Sequence, residues 1–300
     1  MSVRQPGRIL VAGATGSIGR PLVAALAAAG PEVRALARRP EQAGLPATVE
    51  VVPGDVLRDR GLAAALDGVD VAYYLVHAMG RGNDGDFAEL DRRGARAFGA
   101  AAERAGVRRL VYLGGLDGAG AERSHHLRSR AEVAAILARH VPEPVHARAA
   151  MVIAPDSQSF VILRNLVRRL PVMVCPAWVA TRSQPIAGRD VTAALATLAT
   201  IPAVPGEVQL GGGEVLTYRE MMARTAAALG RRRPPMLPVP VMTPRLSSRW
   251  VSLFGGVEYP LVRPLVDGLR AEMVVTEPPP PGVNDAPLGF DAAVRAAIDG

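Results

Sequence analysis

The chain of 300 residues contains a single cysteine, Cys175. One thiol cannot form a disulfide within the chain, which is typical of proteins from a reducing compartment. The sequence also lacks a run of about 18 apolar residues, the length that a membrane-spanning helix needs, and its longest uncharged segment, 191–206, contains two prolines. Glycines interrupt the first apolar run, which argues against a signal peptide. These absences predict a soluble, cytoplasmic protein with no integral membrane segment.

Few aromatic residues accompany the positive charge of this chain. Aromatic side chains make up 4% of it, whereas the formal net charge is +7. Such a charge can indicate a nucleic-acid surface, but the arginines are spread mostly in pairs, and their triple at 231–233 has no aromatic neighbour. We interpret the charge as solvated surface and expect no nucleic-acid partner. An anionic ligand such as a phosphorylated cofactor is compatible with it.

Apolar runs and helical patterns alternate from residue 8 to about residue 155. This alternation predicts a parallel sheet covered by helices on both faces, and runs such as VAYYLV and RLVYLG are typical of strands buried in such a sheet. We therefore predict an α/β protein with a Rossmann-type doubly wound parallel sheet and a smaller C-terminal substrate lobe. The predicted strands are Arg8–Ala12, Glu32–Ala37, Val49–Pro53, Val69–Val76, Arg109–Leu113 and Pro144–Val152, with helices near 17–29, 60–67, 86–105, 124–140 and 157–170.

The pattern changes after residue 170, where prolines are mixed with apolar residues. A proline-rich stretch follows and ends with PPPPG at 278–282. We expect residues 276–288, near the end of the chain, to be extended and poorly packed. We therefore predict three parts: a Rossmann domain over 1–170, a substrate lobe over 171–275 and a C-terminal segment over 276–300. Within the lobe we predict a helix near 191–200, a strand near 206–211 and a helix near 217–229.

The stretch GATGSIG, which follows the first predicted strand, spaces three glycines as G-x-x-G-x-x-G. A helix N-terminus offers unpaired N–H groups to a phosphate, and glycines let the backbone approach it. Because the motif opens the first helix of a βαβ unit, dinucleotide binding explains it better than a bare turn. The predicted contacts are Gly13, Thr15, Gly16, Ser17, Ile18 and Gly19, which makes 1–170 an NAD(P)-binding domain.

The second predicted strand ends in ALARRP, with no acidic residue. An acidic side chain there would accept hydrogen bonds from the ribose of NAD, whereas arginine suits the additional phosphate of NADP. Arg38 and Arg39 therefore predict NADP(H) in preference to NAD(H). A solvated loop is the alternative explanation.

At these residues the chain resembles an atypical short-chain dehydrogenase/reductase of the extended, NmrA-like kind. The resemblance spans about 8–270 and includes GDV at 54–56, YYLVHAMG after the fourth strand and VYLGGL in the fifth. A bacterial group of NAD(P)H-binding proteins carries similar LVHAMG and HLRSR segments. The resemblance implies that Asp55 and Val56 contact the adenine and that Leu75, Val76 and His77 line the cofactor. For Asp55, capping a helix near Leu57 is the alternative.

The catalytic residues of that family are replaced in this chain. Its enzymes usually carry a serine after the fifth strand and then Tyr-x-x-x-Lys, in which tyrosine is the acid/base and lysine holds the ribose. Here the serine region reads Gly114-Gly115, and the tyrosine and lysine positions are His126 and Arg130. Arg130 stays charged, so it can bind ribose or phosphate but cannot act as a base. The cation would favour neutral His126, which could then transfer a proton.

Two functions are consistent with these residues. One is a reductase that uses NADPH on a small carbonyl, quinone or activated alkene; the other is a non-catalytic NADP(H)-binding sensor or assembly protein, in which the helix carrying His126 only positions the cofactor or faces solvent. The loop 78–86 is a candidate lid over the cofactor. The hydroxyls of DSQSF at 156–160 are candidate pocket groups, and so are the side chains of Trp178, Thr181, Arg182 and Gln184. For each of these candidates a purely structural role is the alternative. We predict a small-molecule substrate and leave the oligomeric state open, a homodimer included.

Overall fold

The computed structural model describes residues 6–78, 87–116, 125–203, 205–239, 244–256, 258–259, 262, 266, 268–269 and 271–299. In these residues the strands are β1 Arg8–Ala12, β2 Glu32–Ala37, β3 Glu50–Pro53, β4 Val69–Tyr74, β5 Arg109–Gly115, β6 Glu143–Ala149, β7 Val152–Ile153, β8 Met173–Cys175, β9 Arg182–Ser183, β10 Ile186–Ala187, β11 Glu207–Leu210, β12 Leu216–Thr217 and β13 Met236–Pro238. The α-helices are α1 Gly19–Ala28, α2 Leu62–Leu66, α3 Phe87–Arg104, α4 His125–Leu137, α5 Gln158–Arg169, α6 Gly188–Thr200, α7 Tyr218–Ala228, α8 Pro244–Gly255 and α9 Phe290–Asp299.

Seven strands form one sheet in the order β11-β6-β5-β4-β1-β2-β3. Every neighbouring pair in it is parallel. The strand order reverses beside β1, and in such sheets the crevice beyond the carboxyl ends of the strands at that point binds ligands. The predicted doubly wound parallel sheet is confirmed. The fourth strand ends at Tyr74 rather than at Val76.

Alternate side chains of β1 supply the cores on the two faces of the sheet. Ile9 and Val11 pack with α1 and α6, whereas Leu10 and Ala12 pack with α2, α3 and α4. All four side chains are fully buried. This two-sided burial explains why the strands are continuous apolar runs, and it holds the carboxyl end of β1 rigidly below the glycine turn.

The smaller lobe has its own apolar core, built mainly from α5, α7, α8 and α9. Fully or nearly fully buried side chains in it include Phe160, Met221 and Val294. Short strand pairs connect these helices to one another and to the sheet, namely β7 with β10, β8 with β13 and β9 with β12. The lobe therefore sits beyond the carboxyl ends of the main strands, where it closes one side of the crevice.

The C-terminal residues pack onto both domains. The 276–288 stretch, predicted to be extended and poorly packed, contains turns, and Val283 in it is only 3% exposed. The Asn284 amide donates to the Gly211 carbonyl oxygen, and the Leu288 N–H donates to Asp190 Oδ2. Helix α9, which the sequence analysis did not predict, buries an i, i+3, i+4, i+7 face formed by Phe290, Ala293, Val294 and Ala297. That spacing was the signal that could have found it.

Candidate active site

Glycine fixes the turn between β1 and α1. Gly13 has a φ of +89°, a left-handed value that favours glycine. A Cβ at Gly19 would lie 2.0 Å from the Gly13 carbonyl oxygen, so the turn closes only without a side chain there. Among the described residues, no side chain caps the N-terminus of α1, and its first turn contains no acidic residue. The Arg20 and Leu22 N–H groups already bond to preceding carbonyl oxygens, so in the described structure the N–H groups at residues 17–19 are the ones available to an anion.

A cavity of about 520 Å³ runs from this turn along the edge of the sheet into the lobe. The predicted cofactor residues in its wall come from four parts of the sequence: the glycine turn, the segment after β4, the end of β5 and helix α4. The predicted cofactor residues that line it are Gly13, Gly16, Ser17, Ile18, Gly19, Leu75, His77, Gly114, Gly115 and Arg130. Val56 and Val76 lie elsewhere, packed in or against the core beneath α3.

A second cavity, of about 650 Å³, lies on the other side of the glycine turn and contains the remaining predicted contacts. Thr15, Arg38, Arg39 and Asp55 line it. Asp55 also caps the short 3₁₀-helix Val56–Arg58, since its Oδ1 accepts the Leu57 N–H at 3.0 Å. The capping role given as the alternative for Asp55 is thus present in the structure.

The second cavity is strongly basic because the structure adds arginines that the sequence analysis did not select. Arg58 and Arg60 follow the third strand and line the same cavity as Arg38 and Arg39. Within the described part of the chain Arg38 has no hydrogen-bond or ion-pair partner, whereas Arg58 lies 3.9 Å from Asp55. The pairing of Ala37 with Pro53 places the ends of β2 and β3 side by side. Two pairs of arginines therefore line one cavity.

A buried carboxylate fixes the segment that follows β4. The Ala78 N–H donates to Asp91 Oδ1 at 2.7 Å, and Asp91 in α3 is 3% exposed. Burial raises the pKa of Asp91, while the Arg130 charge and the Ala78 hydrogen bond act in the opposite direction. The contact orients Leu75 and His77 toward the main cavity. Residues 79–86 of the predicted lid lie outside the described residues.

The end of β5 shows why no serine stands there. A Cβ at Gly114 would lie 2.3 Å from Nε2 of His146 on the neighbouring strand. The His146 ring stacks on Tyr112, with the ring centroids 5.2 Å apart, and its Nδ1 lies 3.6 Å from Glu207 Oε1. Burial lowers the pKa of His146, although Glu207 acts in the opposite direction. A neutral imidazole therefore occupies the space into which a serine side chain at Gly114 would extend.

We expect Gly114→Ser to destabilise the protein, because the new side chain meets an imidazole held by Tyr112. Overpacking of this kind costs about 1–3 kcal/mol, measurable as a lower denaturant midpoint. In the double variant Gly114→Ser, His146→Ala, the loss should be smaller than the sum of the two single losses. Gly206→Ser is the control, since nothing lies within 4 Å of a Cβ there. Additive losses in the double variant would contradict the assignment.

Arg130 lies where the family lysine is expected and lines the main cavity. The chain contains no lysine at all. Arg130 Nη1 donates to the Tyr112 hydroxyl at 3.4 Å. Burial alone would lower the pKa of Arg130, but Tyr112, Asp91 and Tyr74 raise it above its ordinary value. The guanidinium thus remains charged at the cavity wall. His126 belongs to the same helix, and its side chain lies outside the described residues.

The lobe end of the main cavity is predominantly apolar. Trp178 packs edge-on against Tyr218, with the ring centroids 5.9 Å apart. Further apolar side chains that line this end are Met151, Ile162, Leu163, Leu166, Met222, Val251, Val266 and Met273. Asp156, Ser157, Gln158 and Ser159 of the DSQSF segment also line the cavity. The Ser157 hydroxyl donates to the Val152 carbonyl oxygen rather than accepting a bond from α5.

The other lobe candidates have structural contacts instead. Arg182 forms an ion pair with Glu272 at 2.8 Å. Gln184 donates to the Gly212 carbonyl oxygen and accepts the Val275 N–H. Neither they nor Thr181 are among the described residues that line the main cavity. In the residues that the structure describes, no group of three metal-ligating side chains occurs.

The glycine turn, the sheet edge and the basic second cavity together place free N–H groups and cations along one edge of the sheet. A family model described as NAD(P)H-binding matches residues 13–165. The chain belongs to this NAD(P)H-binding family. Its match covers the glycine turn, the second cavity, the part of the main cavity next to the glycine turn and most of helix α5. No helix in the described residues combines the length and hydropathy that spanning a membrane requires.

Several known proteins resemble this member of the NAD(P)H-binding family. The chain is 34% identical to the (4-alkanoyl-5-oxo-2,5-dihydrofuran-3-yl)methyl phosphate reductase of Streptomyces griseus, and the match covers 74% of this chain and 74% of that protein. It is 40% identical to sterol demethylase protein B of Methylococcus capsulatus over 39% of this chain and 38% of that protein. Among solved structures, Citrobacter triphenylmethane reductase complexed with NADP(H) has a TM-score of 0.77 at 19% identity, covering 97% and 99% of the two chains. A Staphylococcus aureus nucleoside-diphosphate-sugar epimerase has a TM-score of 0.73 at 17% identity, covering 96% and 99%.

Proposed function

We propose that this protein is an atypical short-chain dehydrogenase/reductase that uses NADPH to reduce a small carbonyl, quinone or activated alkene. One observation carries the proposal: a continuous cavity runs from the glycine turn past Gly114 and Arg130 to an apolar chamber in the lobe. A reductase needs such a chamber next to the reacting end of its cofactor. A protein that only senses the cofactor has no need of it.

The residues of the two cavities fit NADPH. The N–H groups at the start of α1 would bind the pyrophosphate, and Arg38 and Arg39, with Arg58 and Arg60 beside them, would bind the phosphate on the adenosine ribose. Gly114 and Gly115 line the main cavity at the end of β5, where the nicotinamide ring would lie. Arg130 would hold the second ribose or a phosphate, as a permanent cation that accepts no proton.

When bound, the nicotinamide supplies a hydride, so the protein has to position the substrate and provide a proton. We assign the proton transfer to His126, which stands one helical turn before Arg130 on α4. The apolar chamber excludes water from the substrate and binds it mainly through Trp178, Tyr218 and the methionines. The Streptomyces griseus relative is named as a reductase of a compound that carries an alkanoyl group on a lactone ring. That name supports a conjugated carbonyl compound as the substrate of this protein.

Oxidation of NADPH across a panel of quinones, conjugated enones and simple ketones tests the proposal. We expect turnover with at least one conjugated, apolar member, because these compounds fit the chamber and accept hydride readily. Calorimetric titration with NADPH in the same buffer shows whether the cofactor binds. Tight binding of NADPH with no turnover above the uncatalysed rate on any member would support the non-catalytic sensor instead.

The role of His126 is tested with the active substrate. His126→Ala should lower kcat about 100-fold or more, as the loss of a general acid does, with little change in NADPH affinity. His125→Ala is the matched control, since consecutive residues of a helix are about 100° apart around its axis. Unchanged turnover in His126→Ala removes His126 from the mechanism.

A further inference from the structure

The outer surface of the lobe combines positive charge with exposed apolar side chains. In the described residues, four large apolar side chains are strongly exposed, and three of them are Val172, Leu237 and Leu253, at 42%, 55% and 72%. The segments that contain these three carry eight arginines and no aspartate or glutamate: 157–175, 229–239 and 244–256. Such a concentration of one charge sign is notable in a chain that has 28 acidic residues.

The pairing of β8 with β13 brings two of these segments together. The strands are parallel, so the residues before them lie at the same end, and the Met173 N–H donates to the Pro235 carbonyl oxygen at 2.8 Å. Arg231 donates from Nη1 to the carbonyl oxygen of Arg168. Met173 is buried, whereas Val172 and Leu237 are exposed. The arginines that end α5 and those that precede β13 therefore share one surface.

The third segment joins the same surface through α8. Arg169 Nη1 donates to the Phe254 carbonyl oxygen at 3.2 Å, and the Asn165 amide donates to that of Gly255 at 2.8 Å. Leu253 is thereby placed beside the end of α5. We call this surface the basic face, and define it by Arg168, Arg169, Val172, Arg231, Arg232, Arg233, Leu237 and Leu253, all exposed. The exposed Glu258 follows α8 closely in sequence.

We propose that the basic face docks on an anionic lipid surface. Each arginine near such a surface attracts the negatively charged headgroups, and exposed leucine and valine side chains gain by entering the boundary between headgroups and acyl chains. A nucleic acid would use the arginines but gives Leu237 and Leu253 no apolar partner, and none of the residues that define the basic face is a stacking aromatic of the kind found on nucleic-acid surfaces. The observed mixture therefore favours a membrane.

The same helices connect the basic face to the main cavity. Ile162, Leu163 and Leu166 of α5 and Val251 of α8 line the cavity from inside, while the C-terminal ends of both helices carry the basic face outside. If the proposed reductase function holds, docking would bring the apolar chamber next to a membrane in which apolar quinones and enones dissolve. The docking itself does not depend on that reaction.

Co-sedimentation of the full chain with vesicles tests the proposal without any activity measurement. We expect binding to phosphatidylcholine vesicles that contain phosphatidylglycerol, weakening as salt is raised, and little binding to phosphatidylcholine alone. The triple variant Arg231→Gln, Arg232→Gln, Arg233→Gln should bind about 100-fold more weakly. The matched control replaces Arg104, Arg139 and Arg295, which are exposed elsewhere, with glutamine and should bind like the parent chain.

The apolar part of the basic face has its own test. Leu237→Ser with Leu253→Ser should reduce vesicle binding at least about tenfold, while Val215→Ser, at an exposed position outside the basic face, should not. Heparin serves as a polyanion without an apolar phase. Equal vesicle binding by the leucine variant and the parent, or equal losses in the two arginine triples, would overturn the proposal. Binding to heparin without binding to the vesicles would overturn it as well.

Discussion

Replacing Gly19 with alanine is expected to abolish measurable binding of both NADPH and NADH. A Cβ at this position would lie 2.0 Å from the Gly13 carbonyl oxygen and 2.9 Å from the Ala14 Cα, and these backbone atoms leave it no room. The N–H groups that open α1 would move away from the pyrophosphate. The loss of two charge-assisted hydrogen bonds, at about 1.5–3 kcal/mol each, corresponds to an affinity at least about 100-fold weaker. Calorimetric titration of each dinucleotide measures it.

The control for Gly19→Ala is Gly206→Ala, which adds the same methyl group where nothing lies within 4 Å. Thermal unfolding shows whether the variant still folds. If Gly19→Ala does not fold, Gly16→Ala replaces it, because a Cβ there would be 3.3 Å from the Gly13 carbonyl oxygen and requires only a small shift. Cofactor affinities within threefold of the parent in a folded Gly19→Ala variant would contradict the phosphate assignment.

The double variant Arg38→Ala, Arg39→Ala is expected to bind NADPH about 100-fold more weakly and NADH almost as the parent does. Only NADPH carries the phosphate on the adenosine ribose, and each arginine hydrogen bond to a phosphate contributes about 1.5–3 kcal/mol. Arg58 and Arg60 line the same cavity, so Arg58→Ala, Arg60→Ala should also weaken NADPH selectively, by a smaller factor because Arg58 already lies near Asp55. Titrations with both dinucleotides at one ionic strength provide the comparison.

The matched control for these arginines is Arg104→Ala, Arg139→Ala, which removes the same charge from exposed positions outside both cavities. Its affinity for each dinucleotide should equal that of the parent. Equal losses of NADPH and NADH affinity in Arg38→Ala, Arg39→Ala would show that these side chains act through general charge or through the turn. The preference for NADPH would then have to be withdrawn.

The sequence predicted six strands of the main sheet within a few residues, because strands buried on both faces leave continuous apolar runs. The seventh strand, β11, was wrongly placed in the lobe, since only its pairing with β6 shows that it belongs to the main sheet. The glycine turn was predictable for a similar reason, since its conformation depends on neighbouring residues. The predicted end of β4 was wrong, because Leu75, Val76 and His77 lie beyond the strand. They continue its apolar run, but the segment leaves the sheet to meet Asp91, and a carboxylate from α3 is not visible in a local pattern.

The substitution at the serine position illustrates the limit of such patterns. The sequence showed that Gly114 has no hydroxyl, but only the pairing of β5 with β6 revealed that His146 fills the space. Arg58 and Arg60 were likewise unremarkable in the sequence until the pairing of β2 with β3 placed them opposite Arg38 and Arg39. In both cases the deciding neighbour lies on an adjacent parallel strand or in the segment that follows it.

By itself, the sequence determined the order and type of most elements and the anion-binding turn, since apolar periodicity, glycine conformations and helix N-terminal N–H groups are properties of short segments. The tertiary structure decided which side chains share a space: the imidazole behind Gly114, the four arginines of the second cavity, the apolar chamber and the basic face. Parallel strands are joined by long crossovers, so the residues that meet at their ends are distant along the chain, and only the order of strands in the folded sheet brings them together.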